Sequence, residues 1–173
     1  RAIVQGAAGV GKTSFVNRLK VALAEHGVLT HERPVRVKPG MTSRQFCAEV
    51  LRVLIQIRGT VGAAATSDDA GYWRRIGRIV EGEDSVAGGV TLGGVGAQRE
   101  LVRIPPEVEG LSLIDDVIDA FGRVADGGRR RVLVHVDNIE HLSPEEARAA
   151  SVLMRVVRDA FLARSGHWLF VGS

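Results

Sequence analysis

Residues 6–13 of the chain read Gly6-Ala7-Ala8-Gly9-Val10-Gly11-Lys12-Thr13. They match the phosphate-binding pattern G-x-x-x-x-G-K-[ST] at every specified position. Glycine adopts backbone angles closed to other residues, so this loop can wrap around a phosphate with its N–H groups pointing inward. Lys12 supplies positive charge for the outer phosphates, and Thr13 supplies a hydroxyl for Mg²⁺. We assign residues 6–13 and the adjacent Ser14 to nucleotide binding.

The segments on either side of this loop strengthen the assignment. Ala2-Ile3-Val4-Gln5 reads as a short buried strand, and residues 14–25 read as a helix. The apolar residues on one face of that helix are Phe15, Leu19, Ala22 and Leu23. Strand, glycine loop and helix are the arrangement that the motif requires, and we expect the Lys12 side chain to project into a solvated site. The alternative is a chance glycine turn between a strand and a helix.

A second chemical group is expected at Asp137. It ends the β-branched run 132–136, where a parallel strand delivers its last side chain to the ligand crevice, and a carboxylate there can hold Mg²⁺. The alternative is an aspartate that caps the following turn. Asn138 follows, and its amide can orient a water molecule but cannot take its proton. Either Glu140 or another residue activates the water, or hydrolysis is slow; the sequence leaves this open.

Two further polar residues flank the same region. His135 alternates with Asp137, so both side chains point to one side of their strand, and His135 is either a satisfied core histidine or a ligand. The last apolar run, 167–171, leads to Gly172 and Ser173. The Ser173 hydroxyl could sense the γ-phosphate if this run lies between the two strands above. The alternative is a frayed end.

Apolar spacing and turn residues divide the rest of the chain. We expect strands over 34–37 and 167–171, and helices over 42–58, 68–80, 113–125 and 143–164. Thr42 and Gln45 form a capping box, and Ser112 can cap the helix after the Pro105-Pro106 turn.

Six glycines fall within 82–98, where we expect no helix but a surface linker or hairpin, a flap over the nucleotide, or a partner-binding insertion. Strands alternating with helices predict an α/β fold with four main parallel strands and helices on both faces.

Composition bounds the class of protein. The chain has 173 residues, of which 45% are hydrophobic and 25% are charged, as in one globular domain. We assign residues 1–173 to a nucleotide-binding core in which 59–110 form an insertion. The single cysteine, Cys47, excludes an internal disulfide and is expected in the core. A net charge of +3 does not indicate a nucleic-acid partner, although it leaves one open. We expect no membrane partner, because the sequence shows no signal peptide or spanning run. The single cysteine fits a reducing, cytoplasmic setting, and the bias toward Arg, Ala, Gly and Val is typical of a GC-rich bacterial genome. Both ends look cut, as in a core taken from a longer protein.

These motifs and their order resemble those of AAA+ ATPases, P-loop NTPases with a three-layer sandwich. The chain looks most like the branch related to replication initiators of the origin-recognition type, and next most like the STAND signalling ATPases. The resemblance implies that Lys12 binds phosphate of ATP, that Thr13 and Asp137 serve Mg²⁺, and that Ser173 is the first sensor. It also implies that strand 167–171 lies between strands 2–5 and 132–136. The family's fifth strand, arginine finger and helical lid have no counterpart in these residues.

Three functions remain open at this point. The first is an ATP-driven or ATP-gated switch with slow hydrolysis in a larger multidomain protein, where missing domains mediate self-association or contact with a signalling partner. The second is an efficient remodelling ATPase that needs a lid and an oligomer. The third is a small-molecule kinase. Asn138 favours the switch, and Glu140 keeps efficient hydrolysis open.

Overall fold

The computed structural model describes residues 2–7, 10–61, 67–87, 106–137, 144–145, 148, 151, 154–155, 158 and 166–172. The elements in chain order are β1 (Ala2–Gln5), α1 (Lys12–Glu25), β2 (Val28–Leu29), β3 (Val35–Arg36), α2 (Ser43–Val61), α3 (Ser67–Ala87), α4 (Pro106–Val124), β4 (Arg131–Asp137) and β5 (Gly166–Gly172). The chain is therefore an α/β protein, as predicted.

Within the described residues, five strands form one sheet in which every pair is parallel. β5 lies between β1 and β4, while β2 and β3 both pair with the other side of β4. The register joins Ala2 to Leu169, and His135 to the same Leu169 from the other side. This order confirms that the strand ending at Asp137 is not adjacent to β1. Because all pairs are parallel, the carboxyl ends of β1 and β4 lie at one edge of the sheet.

Helices cover both faces of the sheet, which gives three layers. On one face, α1 packs through Val16 against Leu133 of β4. On the other face, α2, α3 and α4 share a larger hydrophobic cluster that includes Val134. Successive residues of a strand point to opposite faces, so His135 and Asp137 follow Leu133 on the α1 side.

The helix α2 follows its predicted pattern closely. The four predicted core residues are all buried: Phe46, Val50, Leu54 and Ile57. The Thr42 backbone N–H donates to Gln45 Oε1 at 3.0 Å, and the Gln45 N–H donates to Thr42 Oγ1 at 3.2 Å. These reciprocal bonds satisfy two of the N–H groups that a helix start leaves without partners, and they confirm the capping box. Cys47 is buried, as expected.

The helix α3 is longer than predicted. It runs to Ala87 rather than to residue 80, so the expectation of no helix within 82–98 is wrong for 82–87. Only one glycine, Gly82, lies in that part, and one interior glycine costs about 1 kcal/mol. Burial of Trp73, Ile76 and Val80 in the preceding turns offsets this cost. Residues 88–98 lie outside the described part of the chain.

The helix α4 begins earlier than predicted. Its first residue is Pro106, so Ser112 lies inside the helix and is not its cap. Proline suits the first helical position because the N–H that it lacks would have no helical partner there. The end of α4 is as predicted, since Gly127 and Gly128 follow it with positive φ of 62° and 95°.

The buried face of α1 matches the predicted one only in part: Leu19 and Leu23 pack against the Val16 cluster but are only partly buried. Phe15 is 56% exposed, whereas Val16 and Lys20 are buried. The prediction left out Val16, and it ranked apolar side chains only, whereas the stem of a lysine can be buried when its ammonium group finds an acceptor. β2 was also not predicted, because a two-residue strand carries too little pattern to read from sequence.

β5 begins where α4 packs against the sheet. A Cβ atom added at Gly166 would lie 3.0 Å from ring atoms of Phe121. Phe121 is fully buried and its ring centroid lies 5.2 Å from that of Trp168. Glycine at this position therefore lets β5 approach α4 without displacing an aromatic ring.

The helix predicted over 143–164 is only partly described. Each described residue between 144 and 158 is helical, and Met154 packs against the cluster shared by α2, α3 and α4. Across the described residues, none of the helices has the length and apolar character needed to cross a bilayer.

Candidate functional site

The glycine loop continues directly from β1. The Gly6 N–H donates to the carbonyl of Gly172 at 3.3 Å, so the first residue of the loop is still tied to β5. A Cβ atom at Gly6 would lie 3.3 Å from Val10 Cγ2, closer than most side chains tolerate. Gly11 has φ of +85° and ψ of 20°, a left-handed conformation that favours glycine. The chain can therefore turn sharply from the loop into α1; Ala8 and Gly9 lie outside the described residues.

The first turn of α1 has the chemistry of an anion site. α1 starts at Lys12, and its first turn contains no acidic residue. Thr13 and Ser14 follow in that turn with exposed side chains. The first N–H groups of a helix lack helical partners and carry partial positive charge, so a phosphate placed before Gly11 would meet these donors.

The Lys12 side chain does not project into solvent, so that expectation is wrong. It is only 9% exposed, and its ammonium group donates to the carbonyl oxygens of Gly6 at 2.5 Å and Ala7 at 3.0 Å. The loop carbonyls thus accept from a largely desolvated ammonium group. A phosphate bound in the loop would offer charged oxygens that are stronger acceptors than these neutral carbonyls.

Asp137 lies at the same edge of the sheet as the loop. It is the last residue of β4 and is half-buried, and its backbone carbonyl accepts from the Val37 N–H at 3.1 Å. The Thr13 hydroxyl and the Asp137 carboxylate are hard oxygen ligands of the type that Mg²⁺ prefers. Among the described residues no group of three His, Cys, Asp or Glu side chains could hold a metal. Both side chains thus have the chemistry to serve a Mg²⁺ ion whose other ligands would come from phosphate and water.

Besides Ala8 and Gly9 of the loop, three predicted site residues lie outside the described part of the chain, namely Asn138, Glu140 and Ser173. Their roles in water activation and phosphate sensing remain predictions. The same holds for the alternative in which Asp137 caps the following turn.

A buried polar cluster beside Asp137 was not predicted. It consists of Lys20 of α1, His31 of the segment between β2 and β3, and His135 of β4. The Lys20 ammonium donates to the Glu32 carbonyl at 3.0 Å, and the His135 backbone N–H donates to His31 Nε2 at 2.9 Å. His31 Nδ1 pairs with the Arg33 carbonyl, and since a carbonyl only accepts, Nδ1 carries the proton.

Burial controls the protonation of this cluster. It lowers the pKa of His31 and of His135 to about 4 each, and the positive charge of Lys20 lowers both further. Burial also lowers the pKa of Lys20, against the attraction of Glu32 and Asp137. Both histidines are therefore neutral near pH 7. His135 is a core residue as expected, but within the described residues neither of its ring nitrogens has a hydrogen-bond partner, so it is not a satisfied one.

Two signals in the sequence pointed toward this cluster. Lys20 follows Val16 by four residues and so shares its helix face, and His135 alternates with Leu133 on the α1 side. Nothing in the sequence placed His31 opposite β4, because that contact depends on how the segment after β2 bends.

A cavity of about 660 Å³ lies away from the loop, between α2, α3 and α4. Its lining includes Arg130, just before β4, so it is at the opposite edge of the sheet. Arg58 and Arg123 in its wall pair with Asp69 at 3.0 and 3.5 Å. These charges hold the three helices together, so we do not assign chemistry to this cavity.

Comparison of the chain with protein-family models, with curated proteins and with solved structures finds no match.

Proposed function

We propose that the chain binds ATP with Mg²⁺ at the Gly6–Thr13 loop and acts as an ATP-gated or ATP-driven switch, with slow hydrolysis, within a larger multidomain protein. In this proposal Lys12 and the first turn of α1 bind phosphate, and Thr13 and Asp137 serve the metal ion. We also propose that the chain is a P-loop NTPase related to AAA+ and STAND ATPases.

The observation that carries the proposal is the order of the sheet. β5 separates β1 from β4, and all pairs are parallel, so the loop after β1 and Asp137 lie at one edge. Crevices outside the carboxyl ends of parallel strands are where open α/β sheets bind ligands. The order is also the one that the resemblance to AAA+ ATPases implied. The left-handed Gly11 and an α1 start without acidic residues add support.

We propose slow hydrolysis because Asn138 directly follows Asp137 in the sequence. An amide next to the metal ligand cannot take a proton from the attacking water. An arginine supplied in trans can contribute about 10³–10⁵ in rate during phosphoryl transfer, and we assign this role to none of the described arginines. Turnover would then depend on parts of the protein outside residues 1–173.

Calorimetric titration with a non-hydrolysable ATP analogue and Mg²⁺ tests the proposal. Lys12→Ala should weaken binding about 10- to 150-fold, which corresponds to roughly 1.5–3 kcal/mol for hydrogen bonds to a charged group. Arg129→Ala is the matched control, because Arg129 is a cation 82% exposed at the opposite edge of the sheet. Equal affinities of wild type and Lys12→Ala would refute the assignment of the loop. Circular dichroism should show both variants folded.

A further inference from the structure

The outer side of β4 is paired by two short strands with a bend between them. Val28 and Leu29 pair with residues 131–132, and Val35 and Arg36 pair with residues 136–137. Between these pairs, residues 30–34 stand opposite residues 133–135, so five residues face three. The segment 30–34, here called the edge bulge, therefore cannot continue the ladder of backbone hydrogen bonds.

His31 supplies the acceptor that the bulge removes. Its Nε2 accepts from the His135 N–H at 2.9 Å, where a neighbouring strand would present a carbonyl. Its Nδ1–H bonds to the Arg33 carbonyl within the bulge. The side chain is 6% exposed, so water does not compete for either bond. A buried N–H group left without a partner is costly, so this imidazole holds β4 to the bulge.

The bulge is also tied to α1 and to the end of β4. The buried Lys20 ammonium of α1 donates to the Glu32 carbonyl at 3.0 Å. Beyond the bulge, β3 pairs with Asp137, and the Val37 N–H donates to the Asp137 carbonyl at 3.1 Å. One continuous set of bonds thus joins the helix that begins at Lys12 to the backbone of Asp137.

We propose that His31 is a positioning residue for Asp137, which fixes the last residues of β4 relative to α1 and thereby supports the metal ion of a bound Mg²⁺–nucleotide. This inference rests on the proposed function. His31 acts through the backbone of His135 and does not contact the nucleotide. Residues that orient a metal ligand from outside its first shell change metal affinity about 10- to 100-fold when they are replaced.

The test separates metal-assisted from metal-free nucleotide binding. The affinity for a non-hydrolysable ATP analogue is measured once with Mg²⁺ and once with EDTA. The ratio of these two affinities is here called the Mg²⁺ enhancement. His31→Phe keeps a ring but removes the acceptor, and it should lower the enhancement about 10- to 100-fold with little change in EDTA. His31→Gln keeps an acceptor oxygen and should restore most of the enhancement. His26→Phe, at the exposed end of α1, is the matched control.

Three results of this experiment would count against the role of His31. No binding by wild type in either buffer would refute the proposed function and with it this inference. A Mg²⁺ enhancement in wild type that survives in His31→Phe would overturn the inference alone. An equal loss in both buffers would also overturn it, because that pattern shows a structural role without a link to the metal.

A measurement on the wild type covers the case in which His31→Phe does not fold. If His31 couples β4 to the metal, binding of metal must in turn stabilise the His31–His135 bond. Hydrogen exchange at the His135 amide should therefore slow when Mg²⁺ is added to the protein with bound analogue. Exchange unchanged by Mg²⁺ would overturn the inference. In a folded His31→Phe, this amide should exchange about fivefold faster, as expected for one hydrogen bond.

Discussion

Mild acid should destabilise this fold through its buried histidines. Burial lowers the pKa of His31 and His135 from 6.5 to about 4, and Lys20 contributes to both shifts. The folded pKa lies below the unfolded one, so the unfolded chain binds more protons between pH 6.5 and pH 4. Stability from the neutral histidines is therefore complete above pH 6.5 and is lost as the pH falls toward 4.

The loss is large relative to the stability of an ordinary domain. A pKa difference of about 2.5 corresponds to about 3 kcal/mol per histidine once both states are protonated. Between pH 7 and pH 5, the same two pKa values give a loss of about 2 kcal/mol per histidine. Domains of this size are stable by about 5–15 kcal/mol, so two histidines remove a substantial fraction.

Urea unfolding at pH 7 and pH 5 measures this effect. His31→Gln keeps an acceptor for the His135 N–H but does not titrate, so its stability should fall by about 2 kcal/mol less than that of wild type. His26→Gln, at an exposed position, should follow wild type. Carboxylates that titrate in this range contribute equally to all three proteins. If His31→Gln and wild type lose the same stability between these pH values, the buried-histidine reasoning is wrong.

Three further predictions concern packing, capping and turnover. Gly166→Ala should lower the free energy of unfolding in urea by about 1–3 kcal/mol, because its Cβ would press on the fully buried ring of Phe121. Gly122→Ala, which has open space around it in α4, should raise that free energy by about 0.5–1 kcal/mol. Equal effects of the two substitutions would contradict this. Thr42→Ala should cost about 1 kcal/mol, and a loss below about 0.3 kcal/mol would show that the cap of α2 contributes little. In single-turnover assays, Asn138→Glu should raise ATP hydrolysis, and Glu140→Gln should lower it if Glu140 activates water; brisk turnover by residues 1–173 that is insensitive to Glu140→Gln would contradict this account.

Local chemistry was the most predictable part of the structure. The capping box of α2 was readable because both partners lie within four residues of sequence. The Gly6–Thr13 pattern specified its strand and helix because the motif requires them, but β1 is mostly exposed and not buried as expected. The position of β5 between β1 and β4 could not come from residue patterns, since several strand orders satisfy the same alternation of elements. A family resemblance supplied that order.

The parts that were missed depend on tertiary contacts. Lys20 lies on the buried face of α1 because the Glu32 carbonyl accepts from its ammonium group, and that acceptor is twelve residues away. His31 reaches His135 across 104 residues of sequence, through a bulge whose two extra residues appear only when β2 and β3 are aligned with β4. Single-sequence patterns report helix and strand periods, and neither period encodes such a contact.

The central claim is that a metal–nucleotide complex binds between the Gly6–Thr13 loop and Asp137. Paramagnetic broadening of backbone amide signals by Mn²⁺, added with a non-hydrolysable ATP analogue, tests it most directly. We predict strong broadening at Thr13 and Asp137 that requires the analogue, and none at Arg129 or Gly166 at the opposite edge of the sheet. Broadening that is absent at Thr13 and Asp137 while the analogue is bound, or that centres on the cavity beside Trp73, would contradict the account.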